Sequence, residues 1–215
     1  MKIAIVGSGN MGGGLGKLWA KAGHQVIFSY SRNPDKLQQL AAGTTAKVAD
    51  PKEAVAQSDV IMLAVGASVL EDVMATVGSL EGKIVITCVS GLKPDFTGQT
   101  IGLPTSLTVS MAETVQQLAP GATVVEAFNI TFAETIAAES RYFGSDRPSV
   151  FYCGNDSAAK KLVSGLIEDC GYEAVDAGTL TVARSLETLA TAWVQFAVAS
   201  QLFPNIGLKA LRLEP

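Results

Sequence analysis

The chain has 215 residues, enough for a sizeable core and few for two full domains. Its 48% hydrophobic and 17% charged content describes a globular protein, and a net charge of −4 leaves no footprint for nucleic acid. No apolar run reaches about 18 residues and the chain opens directly on a strand pattern, so the expectation is a cytoplasmic protein without membrane span or leader peptide.

Residues 2–6 (KIAIV) form an apolar run suited to a buried parallel strand. It leads into Gly7-Ser8-Gly9-Asn10-Met11-Gly12, a G-x-G-x-x-G. A helical pattern follows (Leu15, Leu18, Trp19, Ala22), stops at Gly23, and gives way to a second apolar run over 26–30. Strand, glycine turn, helix and strand in this order are the context of a dinucleotide fingerprint. Gly7 permits the tight turn, Gly9 lets a pyrophosphate approach the backbone, and Gly12 lets the helix pack on the sheet. Gly13, Gly14 and Gly16 extend the run. Close approach of a cofactor or of the sheet is the expected reason for them, because a glycine within a helix costs roughly 0.5–1 kcal/mol relative to alanine.

The tip of the second strand selects the nucleotide. An NAD site places Asp or Glu there for the ribose hydroxyls. Here the segment is Ser29-Tyr30-Ser31-Arg32-Asn33-Pro34-Asp35-Lys36, with no carboxylate at the tip. Ser31, Arg32 and Lys36 offer a hydroxyl and two cations, which suit a 2′-phosphate and therefore NADP. Asp35, beyond Pro34, is expected to cap the next helix.

Further along, 37–42 reads as a helix, 46–48 as a third strand, 51–57 as a helix opened by Pro51, and 59–65 as a fourth, fully apolar strand. A helix over 69–80, a break at Gly82 and a fifth strand over 83–89 follow. Residues 90–106 loosen into a long loop containing Lys93, at the strand end where open α/β sheets bind ligands. A helix over 110–118, a sixth strand over 122–128 and a loose stretch over 139–148, with Arg141 and Arg147, come next. The last 65 residues alternate strand 149–153, helix 157–169, strand 172–175 and a long apolar helix over 182–202. That helix is expected to lie in the core or in a subunit interface. The fold class is thus α/β, a Rossmann-type doubly wound and mostly parallel sheet. Its expected division is a nucleotide-binding domain over 1–148 and a small α/β subdomain over 149–215.

Catalytic side chains are scarce. The one histidine, His24, precedes the second strand and belongs at the sheet edge opposite the fingerprint. That leaves no histidine for acid–base work, for a Ser-His-Asp triad or for most zinc sites. Cys88, Cys153 and Cys170 form no metal spacing and read as buried small hydrophobes. Arg184 and Glu187 share one face of the last helix and are expected to pair with each other or with a loop backbone. With no catalytic residue and no metal ligand set, one reaction fits: hydride exchange between a nicotinamide and a second redox ring.

The opening KIAIVGSGNMGGGLGKLWAKAGHQV, the segments SYSRNPDKL, VVEAFNITFA and FYCGNDSAAKKLVSGLIEDCGY, and the closing VDAGTLTVARSLETLATAW together resemble the NADP oxidoreductases that use the deazaflavin coenzyme F420. The resemblance runs over nearly the whole chain. It implies a homodimer that moves hydride between NADP(H) and the deazaflavin. It places Ser8, Asn10 and Met11 in the pyrophosphate loop, and Ser31, Arg32 and Lys36 at the 2′-phosphate. Ala64, Val65 and Gly66 from strand four, with Val89, Ser90 and Gly91 from strand five, would border the nicotinamide ribose. Asn129, Ile130 and Thr131 would flank the nicotinamide and the second ring. Many relatives have a proline where this chain has Gly66, and Asn-Pro where it has Ser90-Gly91. A flavin as the acceptor, a small imine or carbonyl substrate, and a non-enzymatic NADP(H)-binding sensor are the alternatives.

Overall fold

A computed structural model describes residues 1–31, 33–91 and 108–213. Among the described residues eight strands form one sheet: β1 (Lys2–Val6), β2 (Gln25–Ser29), β3 (Lys47–Val48), β4 (Val60–Leu63), β5 (Ile84–Thr87), β6 (Thr123–Ala127), β7 (Ser149–Gly154) and β8 (Glu173–Gly178). Their order is β3-β2-β1-β4-β5-β6-β7-β8. All neighbours are parallel except β6 and β7, so β7 and β8 run against the other six. The tail thus continues the sheet instead of forming a layer of its own.

Both faces are buried. The helices are α1 (Asn10–Lys21), α2 (Pro34–Ala41), α3 (Pro51–Ala56), α4 (Leu70–Thr76), α5 (Met111–Leu118), α6 (Ala133–Ala137), α7 (Ser157–Asp169) and α8 (Ala183–Ala199). One core joins alternate strand residues (Ile3, Ile5, Phe28, Met62, Ile86, Val125) to α1, α2, α6 and α7. The other joins the intervening residues (Ala4, Val6, Ile61, Leu63, Val85, Val124) to α3, α4, α5 and α8. This period of two explains why the central strands read as continuous apolar runs.

Helix α1 is pressed tightly into its surroundings. A Cβ on Gly16 would run into the Phe28 ring on β2, one on Gly13 would lie 2.9 Å from Leu40 of α2, and one on Gly14 would lie 2.7 Å from Ile136 of α6. Gly16 therefore serves the sheet, as expected, whereas Gly13 and Gly14 make room for two neighbouring helices. The Trp19 indole N–H donates to the Leu166 carbonyl at 2.9 Å, fastening α1 to α7. Edge-on contacts link Trp19 to Phe128 and Phe128 to Tyr172.

Three local expectations shift. Asn33, not Asp35, caps α2: its side chain accepts from the Asp35 N–H, and Pro34 takes the first helical position. The helix expected over 69–80 is a short 3₁₀ turn (Ala67–Val69) followed by α4. The last helix is α8, about one turn shorter than expected.

Candidate functional site

The C-terminal strand edge carries a cleft of about 400 Å³. Three segments line it: Gly7, Ser8 and Gly9; Tyr30, Ser31, Asn33 and Lys36; and Ala64, Val65, Gly66, Ser68 and Val69. Eight of the residues singled out in the sequence therefore meet here: Gly7, Ser8, Gly9, Ser31, Lys36, Ala64, Val65 and Gly66. Arg32 lies outside the described residues.

Hydrogen bonds fix the turn. The Gly7 and Ser8 N–H groups donate to the Ser29 and Tyr30 carbonyls, and the Ser8 hydroxyl donates to the Ser29 carbonyl at 3.1 Å. Gly7 sits at φ +103°, and a Cβ there would strike the Ala64 carbonyl. Gly12 has the same difficulty with the Gly7 carbonyl and with Ile5. Gly9 differs, because no atom of the described residues lies within 4 Å of the place its Cβ would take. Gly9 is also the N-cap of α1, and no side chain among the described residues caps that helix. The first N–H groups of α1 and the positive end of its dipole are thus left for an anion.

The remaining predicted residues are placed elsewhere. Asn10 lines a neighbouring groove, Met11 packs against the core, and Gly12 is buried. Val89 is buried just past β5, its N–H donating to the Thr87 hydroxyl, with Ser90 and Gly91 following. Asn129 follows β6, and both polar atoms of its side chain are buried without a hydrogen-bond partner among the described residues. Ile130 and Thr131 line a small cavity together with Trp193 and Tyr172. Lys93 lies outside the described residues.

Two strand tips at this edge carry backbone strain. Tyr30 after β2 has φ +55° and Phe128 after β6 has φ +67°. Left-handed non-glycine residues persist where surrounding structure over-determines them, often at ligand clamps. Tyr30, Asn33, Ser68 and Val69 line the cleft although their sequence neighbourhood does not single them out. The Asn33-Pro34 pair is the readable signal for the second of these.

Of the charged candidates away from the cleft, His24, Arg184 and Glu187 are structural. His24 bonds Asp169 at 2.8 Å, tying the start of β2 to the end of α7. Arg184 and Glu187 do not pair with each other. Arg184 forms a two-pronged bond to Glu113 at 2.6 and 2.8 Å, holding that carboxyl well below its usual range, at about 2. Glu187 accepts from the Met111 and Ala112 N–H groups at the start of α5. Burial pushes the Cys88 thiol up to about 12, and the other two cysteines are also raised, so none is a ready nucleophile.

Glu126 is the residue the sequence reading passed over. It sits on β6 between Thr87 and Cys153, fully buried, with neither carboxyl oxygen partnered among the described residues. Burial, and then the nearby Glu187 carboxyl, raise its pKa well above the usual carboxylate range.

A dinucleotide fits this site. The uncapped end of α1 suits a pyrophosphate, and Gly9 leaves the room it needs. Among the described residues the titratable side chains lining the cleft are Tyr30 and Lys36, so the cleft offers binding and orientation more than proton transfer. No group of three His, Cys, Asp or Glu side chains among the described residues could hold a metal ion, and no helix is long and apolar enough to cross a membrane.

Known proteins agree with this geometry. Residues 2–91 match the model of the family described as NADP oxidoreductase, coenzyme F420-dependent. A protein from Arthrobacter sp. FB24, provisionally assigned as an F420-dependent NADP reductase, superposes with a TM-score of 0.85 at 26% identity, over 99% of this chain and 100% of the other. A hypothetical protein of Sinorhizobium meliloti superposes with a TM-score of 0.73 at 30% identity, over 84% and 86% of the two chains. Rat (Rattus norvegicus) metalloreductase STEAP3 is 30% identical over 188 residues, which cover 87% of this chain and 36% of that protein. The chain thus spans about a third of the length of this curated relative. Residues 2–91 are thus similar to the NADP oxidoreductase, coenzyme F420-dependent family, and the likeness in fold to the Arthrobacter protein extends over nearly the whole chain.

Proposed function

We propose that the cleft binds NADP(H) and that the chain exchanges hydride between it and the deazaflavin coenzyme F420. The observation that carries this reading is the uncapped N-terminus of α1, opening through Gly9 onto a cleft whose far side is Ser31, Asn33 and Lys36. In it, the first N–H groups of α1, from Asn10 and Met11 to Gly12, receive the pyrophosphate. Ser31, Arg32 and Lys36 take the 2′-phosphate. Ala64, Val65 and Gly66, with Val89, Ser90 and Gly91, border the nicotinamide ribose, and Asn129, Ile130 and Thr131 flank the rings. Bound together, the two coenzymes would supply a hydride donor and a hydride acceptor, held in place by the residues just named. The protein orients the rings and excludes solvent, so no side chain need act as acid or base.

Residues 1–148 act as the NADP-binding domain. Residues 149–215 complete the acceptor side and form the face of a homodimer in the cytoplasm. Support for the dimer comes from α8 and the segment after it, where Phe196 is 57% exposed and Leu202 and Phe203 are also exposed. Phe196→Asp is expected to convert a dimer into a monomer in light scattering at micromolar protein. A wild-type monomer would end the proposal.

A second reading keeps the cleft and replaces the deazaflavin by a flavin. The likeness to a metalloreductase favours it, as do Gly66 and Ser90-Gly91 where many deazaflavin-using relatives have prolines. Stopped-flow absorbance with NADPH, offered the deazaflavin and then FMN, separates the two. Bleaching of the deazaflavin at low micromolar concentration is expected. Turnover on FMN alone would select the second reading, and turnover on neither would leave a non-catalytic NADP(H)-binding protein.

A further inference from the structure

A second cleft of about 400 Å³ runs along α1 between α2 and α6. It begins at Gly9 and Lys36, which also line the nucleotide cleft, and ends at Lys21. At 1.5 Å per residue, the α1 side of this groove is about 18 Å long. Its floor is apolar, from Leu18, Leu40 and Ile136, and its walls carry Lys17, Lys21, Lys36 and Arg141 against a single carboxylate, Glu139. In a chain of net charge −4 this is a concentration of cations.

In the proposed function Lys36 faces the 2′-phosphate of the adjoining site, and the other three charges have no ion-pair partner among the described residues. The ion pairs among the described residues are His24–Asp169, Lys160–Asp176, Arg184–Glu113 and Lys209–Glu173, and none includes a groove cation. Lys17 and Lys21 lie one turn apart on α1, where like charges repel, and α1 has no acidic residue to offset them. Arg141 is held in place without being neutralised. Its guanidinium donates to the Ala138 carbonyl at 2.8 Å and the Glu139 carbonyl at 3.4 Å, and a Cβ on Gly171 would lie 3.2 Å from its Nε.

We infer that this groove is a binding site for an extended polyanion, a ligand carrying several phosphate or carboxylate groups on short spacers. The length of the groove selects a chain over a single ion. The cations supply the charge complement, the fixed Arg141 offers planar donors, and the apolar floor accommodates the spacers. The inference rests on the proposed function only in taking the adjoining cleft as the NADP site. Such a ligand is either part of the redox acceptor or a separate molecule.

The probe is tripolyphosphate, titrated calorimetrically into the full chain saturated with NADP⁺. Binding is expected to persist with NADP⁺ present and to weaken as salt rises. The variant Lys17→Gln/Lys21→Gln is expected to lose on the order of tenfold in affinity, with NADP⁺ affinity unchanged. A control pair on another surface, Lys47→Gln/Lys52→Gln, should leave both unchanged. If the groove variant also raises KM for the reducible acceptor at constant kcat, the polyanion belongs to the acceptor; if KM is unmoved, it is a separate ligand. Displacement of tripolyphosphate by NADP⁺, or undiminished binding in the groove variant, would overturn the inference. Failure of NADP⁺ to bind would instead overturn the proposed function, because tripolyphosphate can be titrated without it.

Discussion

Two clefts of similar volume meet at the N-terminus of α1, and they are built from different materials. The nucleotide cleft is made by backbone: glycines at 7, 9 and 12, bare N–H groups, and strand tips. The groove beside it is made by side chains: four cations over an apolar floor. A backbone site tolerates little change, because each glycine stands where a Cβ would collide with main chain or occupy the ligand's space. A side-chain site tolerates substitution and adjusts its affinity charge by charge.

The largest effect expected from this difference is at Gly12. Gly12→Val would drive side-chain atoms into the Gly7 carbonyl and Ile5, with a cost of about 1–3 kcal/mol or more. Denaturant unfolding should show that loss, and NADP⁺ binding should disappear with it. A stable Gly12→Val protein that still binds NADP⁺ would erase the contrast between the clefts. Arg32→Ala comes next. It should weaken NADP(H) on the order of tenfold to a hundredfold and leave NAD(H) almost untouched. Equal losses for both nucleotides would remove the 2′-phosphate assignment.

A smaller, pH-dependent effect is expected beneath the strand edge, at Glu126. Its folded pKa is raised, so the unfolded chain releases the proton first as pH climbs past the usual carboxylate value. Stability is then lost progressively from about pH 4.5 upward, until the folded group also ionises. Among the described residues, the groups that bear on it are Glu187, Cys88 and Cys153, none of them a cation. Glu126→Gln has no proton to lose. Its melting temperature should gain on wild type as pH rises from 4 to 8, and a constant difference would show that Glu126 titrates alike in the folded and unfolded chains, against a raised folded pKa.

The same contrast explains what could be read from the sequence. Constraints on backbone leave local signatures, so the strand–glycine–helix–strand unit and the lack of a carboxylate at the β2 tip were legible. Gly13 and Gly14 were legible as close approaches but not as contacts with α2 and α6, which the chain reaches only after folding. Asp35 looked like a cap because it follows Pro34, yet Pro34 occupies the first turn and passes the role to Asn33. The partners of Arg184 and Glu187 lie more than 70 residues away on α5, beyond any spacing rule. The groove draws on residues 9–21, 36–40 and 136–141, so no local pattern announces it. Glu126 is hidden for a related reason: a lone carboxylate in VVEAF fits a strand with one solvated face, and only the packing of β7, α5 and α8 buries it.

The most direct test of the account is an isotope experiment. NADPH carrying deuterium at both C4 positions would be oxidised by the protein with the deazaflavin in ordinary water, and the reduced deazaflavin examined by mass spectrometry. Direct hydride exchange in the cleft predicts that the label appears in the reduced deazaflavin and that its carbon gains no hydrogen from solvent. Reduced deazaflavin without the label, or NADPH oxidation with no deazaflavin reduction, would contradict it.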